Sequence, residues 1–275
     1  MFENLRKSNY ITFYEDIRDR GIDYAVEHTV NMGFDAVEVF DAAKPSQWID
    51  RAKMLYLKEK LTENQLAVSC YSMVVNLLSE NVNDVMERAF KHIEYAAELG
   101  SPYIHHTIVP KLVRGKDDPE YDDVLERVIE NVAKIANRCN EYGIVCLYEP
   151  QGVYFNGVEG LRTLLKEVRY RNCKVGGCGD VCNSLFVDCP PTEIFKNFSD
   201  DIMHVHIKDY LICTEQRKEG LMSVGGKCLV PAPIGKGDVD IKGCLSYLRD
   251  YNGAISFETD VSTENMKEVY NRLGI

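Results

Sequence analysis

Four side chains of the types that bind divalent metal ions are spread along the second half of the sequence. They are Glu149, Asp180, His206 and Glu258, and each lies at or near the end of a short apolar run. The spacing is 31 residues from Glu149 to Asp180 and 26 residues from Asp180 to His206. Each spacing matches one βα unit of roughly 30 residues. Because the strands of a parallel barrel end at one mouth, these side chains are predicted to meet there.

The donor types define the chemistry. Three carboxylates and one imidazole are rich in hard oxygen ligands and suit Mn²⁺ or Mg²⁺, and the imidazole also tolerates Co²⁺ or Zn²⁺. Hydroxyl or carbonyl oxygens of a substrate fill open positions on such an ion, which acts as a Lewis acid toward an enediolate. Taken alone, each acid is better explained as a solvated charge at a loop edge, and His206 as a core histidine. The prediction of a metal centre depends on the four occurring together.

Eight short apolar runs, separated by longer stretches with helical periodicity, are the elements that must position these ligands. This alternation is typical of parallel strands joined by crossover helices. The predicted strands are residues 10–14, 36–40, 66–73, 103–107, 144–149, 174–180, 203–207 and 254–258. Eight such strands in a chain of 275 residues predict an α/β fold of the (β/α)8 TIM-barrel type, in one domain spanning residues 1–275.

The connections between the strands carry their own signals. Apolar residues recur three or four positions apart within residues 85–97 and 124–136, which predicts one long helix in each segment. Gly100 and Gly143 lie where these helices are predicted to end, a position that favours positive φ. Residues 211–240 are the least regular part of the sequence and follow the seventh strand, so a lid or substrate loop is expected there.

Composition excludes several classes of partner. The net charge of −11 and the pI near 5.1 disfavour nucleic acid, since no dense basic run offsets the global repulsion. No apolar run approaches the roughly 20 residues that span a bilayer, and the first ten residues do not resemble a signal peptide. We therefore expect a cytoplasmic protein that binds no membrane. The ten cysteines include no Cys-x-x-Cys pair and are expected to be reduced thiols. A homo-oligomer is compatible with this composition.

Several segments resemble the xylose-isomerase-like TIM-barrel superfamily, which includes sugar-phosphate isomerases and epimerases, ketose 3-epimerases, inosose dehydratases and endonuclease IV. The most specific are His204-Val-His-Ile-Lys-Asp209 and Ile234-Gly-Lys-Gly-Asp-Val-Asp240. The others are Val145-Cys-Leu-Tyr-Glu149, Gly179-Asp180, Ile255-Ser-Phe-Glu258, Gly33-Phe-Asp-Ala-Val-Glu38 and Ser72-Met-Val-Val-Asn-Leu77. The resemblance extends over most of the chain.

This resemblance implies specific roles. The four metal-binding candidates correspond to the shared metal site of the family, and Glu149 and Glu258 also to the acid/base pair of the ketose epimerases. The implied substrate is a small sugar or polyol. Lys208 and either His105 or His106 are the implied substrate contacts.

The remaining candidates have explicit alternatives. Many relatives have a histidine three residues after the strand-six aspartate, where this chain has Asn183, which becomes the candidate for that substrate contact. Glu38 is a further candidate, with an ion pair to a neighbour as the alternative, and Lys208 with Asp209 could be a surface ion pair. His204 shares a strand face with His206 and is expected to pack one layer deeper.

These residues point to four functions, which they support to different degrees. The leading one is a metal-dependent isomerase or epimerase of a sugar or sugar derivative, and the nearest alternative is an inosose-type dehydratase, which needs the same ligands. Endonuclease IV-like DNA repair requires a basic groove and many histidines, whereas the chain has six histidines and a net negative charge. A non-catalytic sugar-binding protein on the same fold is the fourth.

Overall fold

The computed structural model describes residues 5–44, 50–112, 115 and 117–275. Eight strands build a barrel: β1 (Arg6–Asn9), β2 (Ala36–Asp41), β3 (Ala67–Met73), β4 (Tyr103–His106), β5 (Val145–Tyr148), β6 (Val175–Asp180), β7 (Ile202–Ile207) and β11 (Ala254–Phe257). They form a closed parallel barrel in the order β1-β11-β7-β6-β5-β4-β3-β2. The predicted (β/α)8 TIM barrel is confirmed.

Helices connect the strands and cover the outside of the barrel. They are α1 (Ile11–Arg20), α2 (Ile22–Asn31), α3 (Arg51–Glu63), α4 (Val82–Glu98), α5 (Tyr121–Glu141), α6 (Gly157–Tyr170), α7 (Pro191–Phe198), α8 (Ile241–Ser246) and α9 (Met266–Leu273), with a 3₁₀ helix at Asn183–Val187. The two helices predicted from apolar spacing, α4 and α5, are confirmed, and their apolar stripes are buried against the strands. Gly100 and Gly143 follow them at φ 74° and 73°, as expected.

The prediction of a first strand at residues 10–14 is wrong. The strand is β1, and residues 11–14 begin α1. The aromatic and β-branched run that favoured a strand instead supplies the buried face of α1, and Asn9 Oδ1 accepts a hydrogen bond from the Phe13 backbone N–H at 3.2 Å. The polar residues of β1 are tolerated inside because they are paired: Ser8 Oγ lies 2.7 Å from Ser69 Oγ.

The segment after β7 is more regular than predicted. Residues 211–240 were expected to form a lid or substrate loop, but about a third of this region lies in three strands, β8 (Asp209–Cys213), β9 (Leu221–Met222) and β10 (Cys228–Ala232). They form a small sheet in the order β8-β10-β9, with antiparallel pairing. The prolines that indicated a loop are accommodated, since Pro231 lies within β10. The sheet follows directly from the C-terminal end of β7.

The register of the barrel sets which side chains share a level. Asp180 is paired with His206 across β6 and β7, and His206 with Ser256 across β7 and β11. A register shift between Gly177 and Cys178 lets β6 and β7 reach this alignment. The last residues of four neighbouring strands, β5, β6, β7 and β11, therefore lie along one arc of the mouth.

Two further expectations concern the whole chain. All ten cysteines lie in the described ranges and are free thiols, and Cys70, Cys146 and Cys178 are buried in strands. No helix among the described residues is both long and apolar enough to cross a bilayer.

Candidate metal centre

The four predicted ligands come together at the C-terminal mouth of the barrel. Glu149 and Glu258 directly follow β5 and β11, Asp180 ends β6, and His206 lies in β7. One donor atom from each residue lies within 4.8 Å of a donor atom from every other. Glu149, Asp180 and His206 are buried, and the Glu258 side chain is 19% exposed. The cluster is thus shielded from solvent on the side of the barrel interior and is accessible to solvent next to Glu258.

One nitrogen of the His206 imidazole, Nδ1, faces this cluster. Its Nδ1 lies 3.0 Å from Glu149 Oε2 and 3.5 Å from Glu258 Oε2. Burial lowers the pKa of His206, but Cys178 and Glu38 beside it raise the pKa well above its ordinary value. Nδ1, which contacts the Glu149 carboxylate, therefore carries a proton. A divalent ion bound to Nδ1 would replace that proton.

The donor set fits a divalent ion. Glu149 Oε1 is buried and accepts no hydrogen bond among the described residues, with His105 Nε2 3.4 Å away. The buried Asp180 Oδ2 has only the Lys208 ammonium beside it, at 3.1 Å. Buried polar atoms are rarely left in this state. With His206 Nδ1 and the Glu258 carboxylate they form the oxygen-rich set, including one imidazole, that suits Mn²⁺ or Mg²⁺.

Asp180 is fixed by the backbone that follows it. Its Oδ1 accepts the backbone N–H of Cys182 at 2.8 Å and also that of Asn183. Those two bonds leave Oδ2 turned toward Lys208, whose Nζ lies 3.1 Å away. Burial raises the pKa of Asp180, and the ammonium of Lys208 opposes that effect.

Lys208 brings a positive charge to the edge of the cluster. Its Nζ donates to Glu258 Oε2 at 2.6 Å, and only 11% of its side chain is exposed. Burial lowers the pKa of Lys208, but Asp180 and Glu258 outweigh burial and raise it well above the ordinary value. Lys208 is therefore an interior cation, not part of a surface pair.

Glu38 lies beneath the cluster and is fully buried. Its oxygens accept hydrogen bonds from His206 Nε2 at 3.0 and 3.2 Å, from His204 Nε2 at 2.8 Å and from Ser72 Oγ at 2.5 Å. Burial raises the pKa of Glu38, but the two imidazoles hold it well below its ordinary value. The structure places Glu38 behind His206, where it fixes which nitrogen faces the other ligands.

The two histidines of β4 point in opposite directions. His105 faces the centre: its Nε2 lies 3.4 Å from Glu149 Oε1, and its Nδ1 lies 3.1 Å from Ser72 Oγ. Burial lowers the pKa of His105 to about 4, so it is neutral. His106 packs instead against the ring of Tyr148, and its Nδ1 donates to the Thr107 carbonyl at 2.7 Å. Of these alternatives, His105 is the one the fold brings to the site.

Asn183 begins the 3₁₀ helix after β6 and is buried. Its backbone N–H holds Asp180, and its carbonyl accepts a hydrogen bond from Asn156 Nδ2 at 2.9 Å. The Asn183 side-chain nitrogen has no hydrogen-bond partner within the described part of the chain. The main contact of Asn183 with the centre is thus made by its backbone.

Tyr10 is a site residue that the sequence analysis missed. It is 3% exposed, and its ring centroid lies 5.2 Å from that of His206 and 5.5 Å from that of Phe40. The Tyr14 ring also packs against Phe40, with ring centroids 5.2 Å apart. The misplaced first strand concealed this role, because Tyr10 stands at the end of β1 and at the mouth only when β1 is Arg6–Asn9.

Asp209 is the second residue whose role was missed. It is buried, and its carboxylate accepts four backbone N–H groups, from Tyr210, Gly235, Gly237 and Val239, at 2.9 to 3.3 Å. A Cβ on Gly237 would lie 2.1 Å from Asp209 Oδ1, so this position requires glycine. The His-x-His-x-Lys-Asp and Gly-x-Gly-Asp-Val-Asp segments are therefore one structural unit beside the mouth.

A sizeable cavity lies elsewhere. It has a volume of about 720 Å³ and is lined by residues that precede or begin β4, β7 and β11, such as Tyr103, Ile202 and Gly253. This is the N-terminal end of the barrel, which in TIM barrels serves stability, whereas active sites occupy the C-terminal end. None of the predicted ligands lines it, so the chemistry of the mouth outweighs cavity size.

The sequence profile of the family described as xylose isomerase-like TIM barrel matches residues 26–273. The chain belongs to this family. No curated protein matches the sequence.

Solved structures of other proteins share the fold at low sequence identity. A xylose isomerase-like TIM barrel protein from Mycobacterium smegmatis in complex with magnesium is 20% identical, with a TM-score of 0.70 over 98% of this chain and 96% of that one. D-psicose 3-epimerase from Clostridium cellulolyticum H10, solved with D-tagatose, is 15% identical, with a TM-score of 0.71 over 98% and 97%. D-allulose 3-epimerase from Methylomonas sp. is 18% identical, with a TM-score of 0.71 over 99% and 90%.

Proposed function

We propose that this family member is a divalent-metal-dependent isomerase or epimerase of a sugar or sugar derivative, with the whole of residues 1–275 as its single domain. The observation that carries the proposal is the convergence of Glu149, Asp180, His206 and Glu258, whose donor atoms lie within 4.8 Å of one another. Membership of the family and the two epimerases among its structural neighbours support it.

These four residues would hold the ion, and Mn²⁺ or Mg²⁺ suits three carboxylates and one imidazole best. When bound, the ion supplies Lewis acidity that stabilises negative charge on the carbonyl oxygen of a ketose. His206 would use Nδ1, since its Nε2 is engaged by Glu38.

The order of the strands separates the two carboxylates proposed for proton transfer. Glu149 follows β5 and Glu258 follows β11, with β6 and β7 between them, so they flank the arc from opposite ends. A carboxylate on one side of the substrate removes the proton from the carbon beside the ketone, and a carboxylic acid on the other side returns one. Return to the opposite face of the same carbon gives an epimer.

Other residues of the mouth would bind and orient the substrate. The ammonium of Lys208, held between Asp180 and Glu258, is placed to donate to a hydroxyl or developing oxyanion. His105 is neutral and lies at Glu149, where it can hold the orientation of that carboxylate. Tyr10 and Phe40 form an apolar wall that excludes water from one side.

The test combines metal content with isotope exchange. Metal is measured by mass spectrometry on the wild type, His206→Ala and Glu149→Gln, with His28→Ala as a control histidine on α2, away from the centre. Each protein is then incubated in deuterium oxide with a panel of ketoses that includes D-allulose and D-tagatose, and products are followed by NMR. About one ion per chain in the wild type and the control, with loss of both ion and exchange in the two variants, is expected.

The same spectra separate the reaction outcomes. Deuterium at an inverted carbon identifies an epimerase, deuterium on the neighbouring carbon an aldose–ketose isomerase, and loss of a β-hydroxyl group a dehydratase. A wild-type protein that binds no metal and catalyses no exchange would contradict the proposal and favour a binding role.

A further inference from the structure

Cys178 lies directly below the proposed metal centre. It is on β6 two residues before Asp180, so both side chains point into the barrel. The cross-strand partner of Asp180 is His206, whereas that of Cys178 is His204, one level deeper. Cys178 is 1% exposed, so its thiol is isolated from bulk solvent.

The thiol belongs to a second group of donor atoms. One donor atom each from Glu149, Cys178 and His206 lies within 4.8 Å of the other two, and all three residues are buried. Glu149 Oε1 is buried and accepts no hydrogen bond in the described ranges, and its neighbour His105 Nε2 lies 3.4 Å away. This combination places a thiol, an imidazole nitrogen and a carboxylate oxygen within reach of one ion.

A third group, Glu38, His204 and His206, is equally compact but has a simpler explanation. Both Glu38 oxygens already accept hydrogen bonds from the two imidazoles or from Ser72. No unpaired oxygen remains on Glu38, which distinguishes this group from the one that contains Cys178.

We propose that Glu149, Cys178 and His206 form a second, softer coordination set, through which a thiophilic divalent ion binds one level below the oxygen-rich site. The inference rests on the proposed metal centre, because the two sets share Glu149 and His206. A thiolate ligand selects ions such as Zn²⁺ or Cd²⁺, whereas Mn²⁺ and Mg²⁺ prefer carboxylates. Binding breaks the S–H bond, forms a metal–sulfur bond and releases one proton to solvent.

The depth of the ion then decides whether the centre works. An ion held by Cys178 leaves Asp180 and Glu258 uncoordinated, and these two carboxylates keep their contacts with Lys208 at 3.1 and 2.6 Å. The substrate oxygens that should meet the ion at the mouth are then separated from it. Soft ions are therefore expected to occupy the protein and block it, at one ion per chain.

The experiment is X-ray absorption spectroscopy on protein loaded with Zn²⁺ or with Mn²⁺. We expect a sulfur shell at about 2.3 Å for Zn²⁺ and only oxygen and nitrogen for Mn²⁺. Cys178→Ser is expected to lose the sulfur shell while it still binds one Mn²⁺, which also shows that it is folded. Cys146→Ser is the matched control, since Cys146 is fully buried in the next strand but is absent from the three donor groups.

Several results would overturn the inference. Zn²⁺ bound without sulfur, or a sulfur shell that persists in both Cys178→Ser and Cys178→Ala, would contradict the second coordination set but not the proposed oxygen-rich centre. If the protein binds neither Zn²⁺ nor Mn²⁺, the proposed oxygen-rich centre is contradicted as well. If both variants fail to fold, electron paramagnetic resonance on the wild-type protein provides the test. Because the two sets share Glu149 and His206, Zn²⁺ is expected to release bound Mn²⁺ one for one. Sulfur-bound Zn²⁺ in a protein that retains its Mn²⁺ would contradict the sharing of these ligands.

Discussion

Replacing Glu38 by glutamine is expected to weaken metal binding, although Glu38 is not one of the four proposed ligands. Glu38 holds His206 through contacts of 3.0 and 3.2 Å to Nε2. A glutamine has nearly the same size but offers one acceptor oxygen and a donor NH₂ group. When that NH₂ group faces Nε2, the imidazole keeps its proton on Nδ1, the nitrogen that the ion needs.

The magnitude follows from what such contacts contribute elsewhere. Mutation of a carboxylate that orients a metal-bound histidine typically lowers metal affinity by about 10- to 100-fold, which is about 1.4 to 2.7 kcal/mol. Glu38 is fully buried and also holds His204 and Ser72, so its loss disturbs the whole layer beneath the ion. We therefore expect the upper part of this range for Mn²⁺.

Titration calorimetry of metal-free Glu38→Gln with Mn²⁺ measures the affinity, and nitrogen NMR of the histidine rings reports the tautomer of His206. Ser72→Ala is the graded control, because it removes one hydrogen bond to Glu38 but leaves both contacts to His206. A smaller loss is expected there. A folded Glu38→Gln protein that binds Mn²⁺ as tightly as the wild type would refute the argument that Glu38 sets the reactive nitrogen.

Three other outcomes are expected. Lys208→Met removes a positive charge 2.6 Å from Glu258 Oε2, so calorimetry should show Mn²⁺ binding about tenfold tighter, or about 1.4 kcal/mol, and NMR should show slower deuterium exchange into substrate. Gly237→Ala places a Cβ against Asp209 and should lower the urea-measured free energy of unfolding by about 1 to 3 kcal/mol. Burial lowers the pKa of His92 from 6.5 to about 4, so folding stability should fall as the pH drops from 6.5 to 4, by about 3 kcal/mol. In His92→Gln, urea titrations across that range should show a shallower loss.

The fold was predictable because its signals are local. The apolar stripes of α4 and α5 and the short runs of β2 to β7 follow directly from the periodicity of the sequence. The first strand was not predictable in this way, because Arg6-Lys-Ser-Asn9 lacks an apolar pattern. Its inward residues are satisfied by distant partners, such as Ser69 for Ser8, and these appear only when the barrel is closed.

The same distinction between local and long-range signals applies to the candidate site. Residue types and spacing of about one βα unit were enough to name four side chains that the fold brings together. The place of Glu38 behind His206 depends on a contact between residues 168 positions apart. The choice between His105 and His106 depends on which face of β4 points inward. Both require the register of the strands, which a single sequence does not contain.

The polar first strand has a consequence for how the chain is made. Lys7 in β1 pairs with Ile255 in β11, 248 residues later. At about 5 to 20 residues per second, a ribosome needs roughly 12 to 50 s to synthesise that stretch, and one edge of β1 has no barrel partner during this time. Exposed edges rich in lysine and arginine resist pairing with other chains. The composition that hides β1 from sequence reading is thus suited to a nascent strand that must wait for its neighbour.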